Sequence, residues 1–341
     1  MVTLKDIANK CGLSVATVSK AMNNMPDISL STAQRIQKIA REMGYMPNSA
    51  ARSMKTGRSM IIGMLMFLGS ESIWTHNYSA LVADSVHRTV EDHGYDLTPV
   101  SSKGAGSMGG YLNYCRYRNY DGVIVMSGGS SDPSLDDLVN SDFPLVTIDY
   151  KLPSRSSIIS DNIEGMRRLV RHVYDLGHRR LAFIHGNEST VTSDRISGFF
   201  SACNELGLEV PDCRIRAAHY LSQEESARIT LELLALDERP TCIFYPDDYA
   251  CLGGVRALKA QGLSVPGDVS VVGYDGTRIA EAVEPSLTTY RQNCEAIGVS
   301  AAEMLLRAIE NSHSVLPRHI IVPGRLIEGA SVRNLNAPEC C

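Results

Sequence analysis

No stretch of the 341-residue chain reaches the roughly 18 consecutive apolar residues that a bilayer-spanning helix needs, which excludes an integral helical membrane protein. The first residues, with Thr3, Lys5 and Asp6, lack the basic segment and apolar core of a secretory signal, so the expected compartment is the cytoplasm. The nine cysteines are odd in number, scattered and without a Cys-x-x-Cys pair, and they read as reduced thiols rather than a disulfide framework. Adjacent Cys340 and Cys341 are the pair that invites oxidation in purified material. Also missing are a Gly-x-Ser-x-Gly elbow, a His-Glu-x-x-His helix, a phosphate loop and zinc-ligand spacing. No catalytic residue, metal ligand or cofactor is therefore expected. The glycines of Gly104 to Gly110 follow a strand ending near Ser101 and read as a loop.

What is present describes a globular protein of about two domains, with 44% hydrophobic and 21% charged residues. The charge is unevenly placed. Residues 1–58 hold nine Lys or Arg against three acids, a net of +6, while the remainder carries 24 basic and 35 acidic residues, a net of −11. A basic head on an acidic body attracts a polyanion at one end and repels it elsewhere.

Three short helices are expected in the head: Leu4 to Cys11, Val15 to Met22 and Thr32 to Met43. Their start signals are Thr3 with Asp6, Ser14, and a capping-box pattern of Ser31 with Gln34. Leu4, Ile7, Ala8, Val18, Ala21, Ile36, Ile39 and Ala40 supply one small core and leave Lys5, Lys20, Arg35 and Lys38 outside. Two helices joined by Gly12-Leu13-Ser14 suit a helix-turn-helix, whose second helix presents side chains to the major groove.

The run Thr3-Leu4-Lys5-Asp6-Ile7-Ala8 followed by Gly12-Leu13-Ser14-Val15-Ala16-Thr17-Val18-Ser19-Lys20 resembles the amino-terminal signature of the LacI/GalR family of bacterial transcriptional regulators. The resemblance implies base reading by Val15, Ala16 and Lys20, and phosphate or cap contacts from Thr3, Ser14, Thr17 and Ser19. It also implies that residues 46–58 form a hinge helix entering the minor groove as a symmetric pair, with Asn48, Ala51, Met54 and Lys55 as candidate DNA contacts. Met54 stands where the family usually has a leucine wedge. About eight helical residues are too few to be stable alone, so this hinge would order only with DNA and a second copy.

From Ser59 onward, apolar runs at Met60 to Phe67, Gly122 to Met126, Leu145 to Ile148, Leu181 to Ile184, Thr241 to Tyr245 and Val269 to Val272 read as parallel strands. Tyr78 to His93, Asn162 to Leu176, Arg195 to Leu206, Glu224 to Leu236 and Ala250 to Gln261 read as helices. The expected fold class is α/β: a small all-helical helix-turn-helix head (1–45), the hinge (46–58), and a two-lobed Rossmann-like body (59–341). The body resembles the family's type I periplasmic-binding-protein fold through Asp161-Asn162, Leu176 to Ile184, Arg195 to Phe199, Val265 to Asp275 and Leu287 to Gln292. That resemblance implies a first lobe of about 60–159 plus 292–320 and a second of about 160–291 plus 321–332.

It further implies effector recognition by Asp149, Arg195, Asp247, Asp275 and Gln292. Trp74, His76, Tyr78 and Tyr220 are candidates for the aromatic and polar wall. Carboxylates accept hydroxyl protons and a guanidinium supplies fixed donors, which suits a neutral saccharide or glycoside. Asp247 stands where the family commonly has asparagine, disfavouring an anionic effector, and Cys294 stands where some members carry an aromatic.

The function expected is a ligand-responsive repressor of carbohydrate-utilisation genes: a cytoplasmic, nucleoid-associated homodimer on palindromic double-stranded operator DNA. The sequence after about residue 330 has no leucine heptads, so the tetramerising tail of some members is not expected. The alternative is a cytoplasmic sugar-binding module whose head serves structural pairing instead of DNA reading.

Overall fold

A computed structural model describes residues 2–23, 25–46, 57–67, 77–127, 133–310 and 316–337. Asn48, Ala51, Met54, Lys55, Trp74 and His76 lie outside the described residues. The chain divides into two compact units, Met1–Ser59 and Met60–Cys341.

The first unit holds helices α1 (Leu4–Cys11), α2 (Val15–Met22) and α3 (Leu30–Glu42). Thr3 and Asp6 form a reciprocal capping box on α1, and Gly12 ends that helix in the left-handed conformation at φ 66°. Ser14 caps α2 by accepting the Thr17 N–H at 3.1 Å. The start of α3 differs from the expectation. Ser29, not Ser31, is the cap, because its extended backbone lets its hydroxyl accept the Thr32 N–H. Ile7, Ala8, Val18, Ala21, Ala33, Ile36 and Ala40 are buried together, while Leu4 and Ile39 are only partly covered.

The second unit opens on a six-stranded parallel sheet built from β1 (Ile61–Phe67), β2 (Asp96–Pro99), β3 (Gly122–Ser127), β4 (Leu145–Ile148), β5 (Ser156–Ser160) and β11 (His319–Val322), in the order β11-β5-β4-β3-β1-β2. Alternate residues serve opposite faces. Ile62, Met64, Ile124, Val146 and Ile148 pack with α4 (Asn77–Asp92) and α13 (Cys294–Glu310) on one side. Leu65, Val123, Val125 and Leu145 pack on the other, against the short helices Ser102–Ser107 (α5), Tyr111–Tyr117 (α6) and Asp136–Val139 (α7).

A second parallel sheet, in the order β7-β6-β8-β9, comprises β6 (Leu181–His185), β7 (Ile215–Ala217), β8 (Cys242–Phe244) and β9 (Ser270–Val272). One face packs on α10 (Gln223–Leu234) and α11 (Asp248–Ala260), the other on α8 (Asn162–Asp175) and α9 (Thr190–Glu205). A short helix, α12 (Arg278–Ala282), follows β9. An antiparallel ribbon of β10 (Thr289–Arg291) and β12 (Arg325–Ile327) completes the described strands.

Two expectations are corrected. The Gly104 to Gly110 run is no simple loop: Ser101 caps α5 there, its hydroxyl accepting the Gly104 N–H at 3.0 Å. The spacing of Gly104, Gly106 and Gly109 matches the letters of a dinucleotide fingerprint, but Gly104 and Gly106 sit inside the helix instead of in a strand-to-helix turn, so no phosphate cradle forms. Helix α9 begins at Thr190, capped by Ser189, which places Arg195 inside the helix and not at its start. Strands β5 and β11 end at Ser160 and Val322, paired with each other in the first sheet.

Candidate DNA-reading face and effector pocket

Helix α2 divides its side chains sharply. Val18 and Ala21 are fully buried, whereas Val15 is 44% exposed and Ala16 and Lys20 are exposed beside it. An apolar, a small and a cationic side chain thus share the outward face, the set needed to meet thymine methyls and guanine acceptors in a major groove. The Ser14 and Thr17 hydroxyls lie 2.8 Å apart at the start of the same helix. Ser19 is half-exposed, and the Thr3 hydroxyl donates to Asp6 at 2.7 Å as part of its cap. Lys20 Nζ pairs with Asp27 across the turn, and that bond holds the Asp27 carboxyl below its ordinary range. Gln37 of α3 donates to the Ala21 carbonyl at 3.0 Å, fixing α2 on the core.

In the second unit, Asp149 directly follows β4 and Asp275 lies three residues past the end of β9; both have positive φ, 57° and 96°. Such backbone is costly for an aspartate and is characteristic of sites where the surrounding fold over-determines the geometry. Tyr78 from α4 donates to Asp149 Oδ2 at 2.5 Å, and the Ser160 N–H approaches Oδ1 at 3.4 Å. Burial raises the Asp149 carboxyl despite these donors, and raises the Tyr78 hydroxyl as well.

Arg195 is 4% exposed and is held from several directions. Its Nε donates to Asn162 Oδ1 at 2.9 Å, one terminal nitrogen donates to the Pro246 carbonyl at 2.7 Å, and the other reaches Asp275 Oδ1 at 3.5 Å. The guanidinium carbon stands 3.6 Å from the Tyr274 ring centroid and 5.6 Å from that of Tyr220. Burial opposes its charge, but Tyr220, Tyr274, Asp275 and Asp149 together keep it protonated. Gln292 donates to the same Asp275 oxygen at 2.6 Å, and the Thr190 hydroxyl donates to the Asp149 carbonyl at 3.1 Å across the lobes.

The structure therefore brings Tyr78, Asp149, Arg195, Asp275 and Gln292 into one buried polar cluster, with partly buried Tyr220 at its side. Asp247 is tied into the backbone of two elements. Its Oδ1 accepts the Ala250 N–H at 2.7 Å and its Oδ2 the Leu221 N–H at 2.8 Å, making it the cap of α11 and a tie to the loop carrying Tyr220. Sequence reasoning passed over Asn162, Ser160 and Tyr274 as site residues. Asn162 and Tyr274 sit in the motifs Asp161-Asn162 and Gly273-Tyr274-Asp275, but only folding shows that they grip Arg195. Ser160 Oγ and Tyr274 OH are buried with no hydrogen-bond partner among the described residues. Asp248 is a framework acid: Thr277 and Thr289 donate to it, and burial, with neighbouring Asp275, pushes its carboxyl up to about 8.

Among the described residues no group of His, Cys, Asp or Glu is arranged to hold a metal ion, and no helix is long and apolar enough to cross a membrane. The seven described cysteines are all free thiols.

Comparison with known proteins agrees with both units. Residues 3–48 match the model of bacterial regulatory proteins of the lacI family, and residues 170–332 that of a periplasmic binding protein-like domain. The HTH-type transcriptional repressor PurR of Escherichia coli O139:H28 is 31% identical, over 97% of each chain. A CelR transcriptional regulator solved as its cellobiose complex superposes with a TM-score of 0.72 at 25% identity, covering 97% of this chain and 100% of that one. The lac repressor dimer bound to operator and the anti-inducer ONPF has the same fold, with a TM-score of 0.82 at 22% identity, covering 97% of this chain and 99% of the other. An exposed helix face of apolar, small and cationic side chains, a second unit with a charged cluster at its strand ends, and near full-length relatedness to repressors lead to one conclusion: the chain belongs to the lacI family of bacterial regulatory proteins and is a DNA-binding transcriptional repressor, not an enzyme.

Proposed function

We propose that the protein represses carbohydrate-utilisation genes and responds to a neutral saccharide or glycoside bound at the Asp149–Arg195–Asp275 cluster. The observation that carries this reading is the convergence of the Asp149 and Asp275 carboxylates and the Arg195 guanidinium, with the Gln292 amide, just past the carboxyl ends of the strands. Fixed donors and acceptors of this kind match the alternating hydroxyls of a sugar, and the Tyr220 ring offers an apolar wall. The CelR neighbour, named for its cellobiose complex, supports the same class.

In this reading Val15, Ala16 and Lys20 read bases, while Thr3, Ser14, Thr17 and Ser19 orient the head on phosphates. Residues 46–58, with Asn48, Ala51, Met54 and Lys55, act as the conditional hinge, and Trp74 and His76 are candidates for contact with the effector. A homodimer is the minimum assembly, because one head occupies only one half of a palindromic operator. The protein works in the cytoplasm, where that DNA is. Effector occupancy alters the spacing of the paired bodies and so decides whether the hinges fold in the groove.

The test is a thermal-shift screen of saccharides and nucleobases on the full-length protein, followed by fluorescence anisotropy on its own upstream DNA with and without each hit. A sugar that shifts both the melting midpoint and operator affinity supports the proposal. A nucleobase producing the larger shift in both would replace the saccharide assignment.

A further inference from the structure

A cavity of about 600 Å³ opens against the crossovers that join the lobes. Its walls come from both: Leu81, Asp84 and Arg88 of α4 and Glu295 of α13 on the first lobe, and Arg278, Glu281, Arg291 and Arg325 on the second. Asp275 and Gln292 form a partition shared with the effector cluster.

The arginines are arranged in a way that internal pairing leaves incomplete. Arg291 and Arg325 are register partners in the β10–β12 ribbon, so their side chains leave the same face as directly opposed like charges, a destabilising arrangement unless an anion lies between them. Arg291 is engaged: its Nε donates to the Gly276 carbonyl at 2.9 Å and a terminal nitrogen binds Glu281. Arg88 is engaged by Asp84 at 3.1 Å. Arg278 and Arg325 are exposed and make no side-chain hydrogen bond or ion pair among the described residues. Glu281 feels all three second-lobe guanidinia: bonding to Arg291, then the charges of Arg325 and Arg278, hold its carboxyl below the ordinary range. One carboxylate thus serves three arginines. Of the other acids on the wall, Asp84 and Asp275 are already engaged by arginine, and Glu295 faces the cavity from the first lobe.

We propose that this cavity is a second ligand site, for a small phosphoryl-bearing anion held by Arg278 and Arg325 with Arg291 behind them. Guanidinia at fixed spacing suit bidentate contact with phosphoryl oxygens. Because the two crossovers form the wall, an occupant there bears on the angle between the lobes, and Asp275 and Gln292 connect it to the effector cluster. This site goes beyond the saccharide reading and does not rest on it.

The test is isothermal titration of the full-length protein with inorganic phosphate and with glucose 6-phosphate, at an ionic strength held constant with chloride, for wild type and for the double variant Arg278→Gln/Arg325→Gln. The proposal expects saturable binding whose apparent Kd rises about tenfold or more in the double variant. Tighter binding of glucose 6-phosphate than of phosphate, abolished by the same substitutions, identifies a phosphate ester as the preferred source; equal binding identifies free phosphate. Arg278→Ala alone, at an exposed position without side-chain bonds among the described residues, supplies the comparison if the double variant folds poorly, and is expected to weaken binding in the same direction. Binding unchanged by these substitutions would place the anion on the basic head and overturn the proposal, as would the absence of saturable binding by either probe. Loss of self-association in the double variant with phosphate binding intact would also overturn it, assigning the arginines to a chain–chain contact.

Discussion

Single side chains carry the specificity of both units. In the proposed reading Lys20 exchanges its contact with Asp27 for one with a base, and an exposed ion pair of this kind is worth too little to prevent that. Lys20→Ala is expected to weaken operator binding by roughly 1–3 kcal/mol and to flatten the preference at one base position, read by anisotropy on operator variants. An equal loss on every sequence would assign Lys20 to phosphate instead. In the effector cluster, Arg195→Ala removes donors to Asn162, Pro246 and Asp275 at once and should abolish the effector-induced change in operator affinity; a full response from that variant would sink the pocket assignment. Asp248 makes a pH prediction. Its folded value, about 8, lies above the unfolded value near 3.8, so its stabilisation is complete below pH 4 and is lost as pH rises toward 8. Asp248 should contribute about one proton to the slope of urea-unfolding stability against pH across that window, so Asp248→Asn should make the decline with rising pH shallower than in the unsubstituted protein.

Among the elements, the close pair of helices α10 and α11 is governed by small residues. A Cβ on Gly253 would stand 1.9 Å from the Gln223 carbonyl oxygen, and one on Gly254 2.0 Å from the Tyr245 hydroxyl. Gly253→Ala must therefore push α11 away from backbone, not from a mobile side chain. The expected destabilisation is roughly 1–3 kcal/mol, measured as a lower urea midpoint, with operator affinity at saturating folded protein unchanged. Strand and helix positions were readable where periodicity is strong, as in β4, whose expected and observed limits coincide at Leu145–Ile148. Short or flanking elements were not. The strand Ser156–Ser160 mixes serines with isoleucines, and its burial comes from neighbours on both sides of the sheet, which no local pattern announces. The choice between Ser29 and Ser31 as the cap of α3 likewise depended on backbone conformation, since both residues have the needed hydroxyl.

For the whole molecule, the split between a +6 amino-terminal segment and a −11 remainder makes association with DNA dependent on salt. The logarithm of operator affinity should fall linearly with the logarithm of salt concentration, with a slope of several units if two heads each neutralise several phosphates. A binding stoichiometry of one chain per operator at all protein concentrations would remove the homodimer proposal. The seven described free thiols, four of them buried, predict that reducing agent leaves the unfolding midpoint unchanged.

The amino-acid sequence by itself determined the head, because caps, turn glycine and core periodicity there all act within about a dozen residues. It also determined the alternation of strands and helices in the second unit and the separation of opposite charges along the chain. Only the tertiary structure decided that Asp149, Arg195 and Asp275, far apart in sequence, meet at the ends of strands, two of them on left-handed backbone. It alone showed that Asp247 caps a helix, and it alone set Arg325 opposite Arg291. Such juxtapositions depend on sheet order and strand register, which are properties of pairing between distant segments and leave no mark on either segment alone.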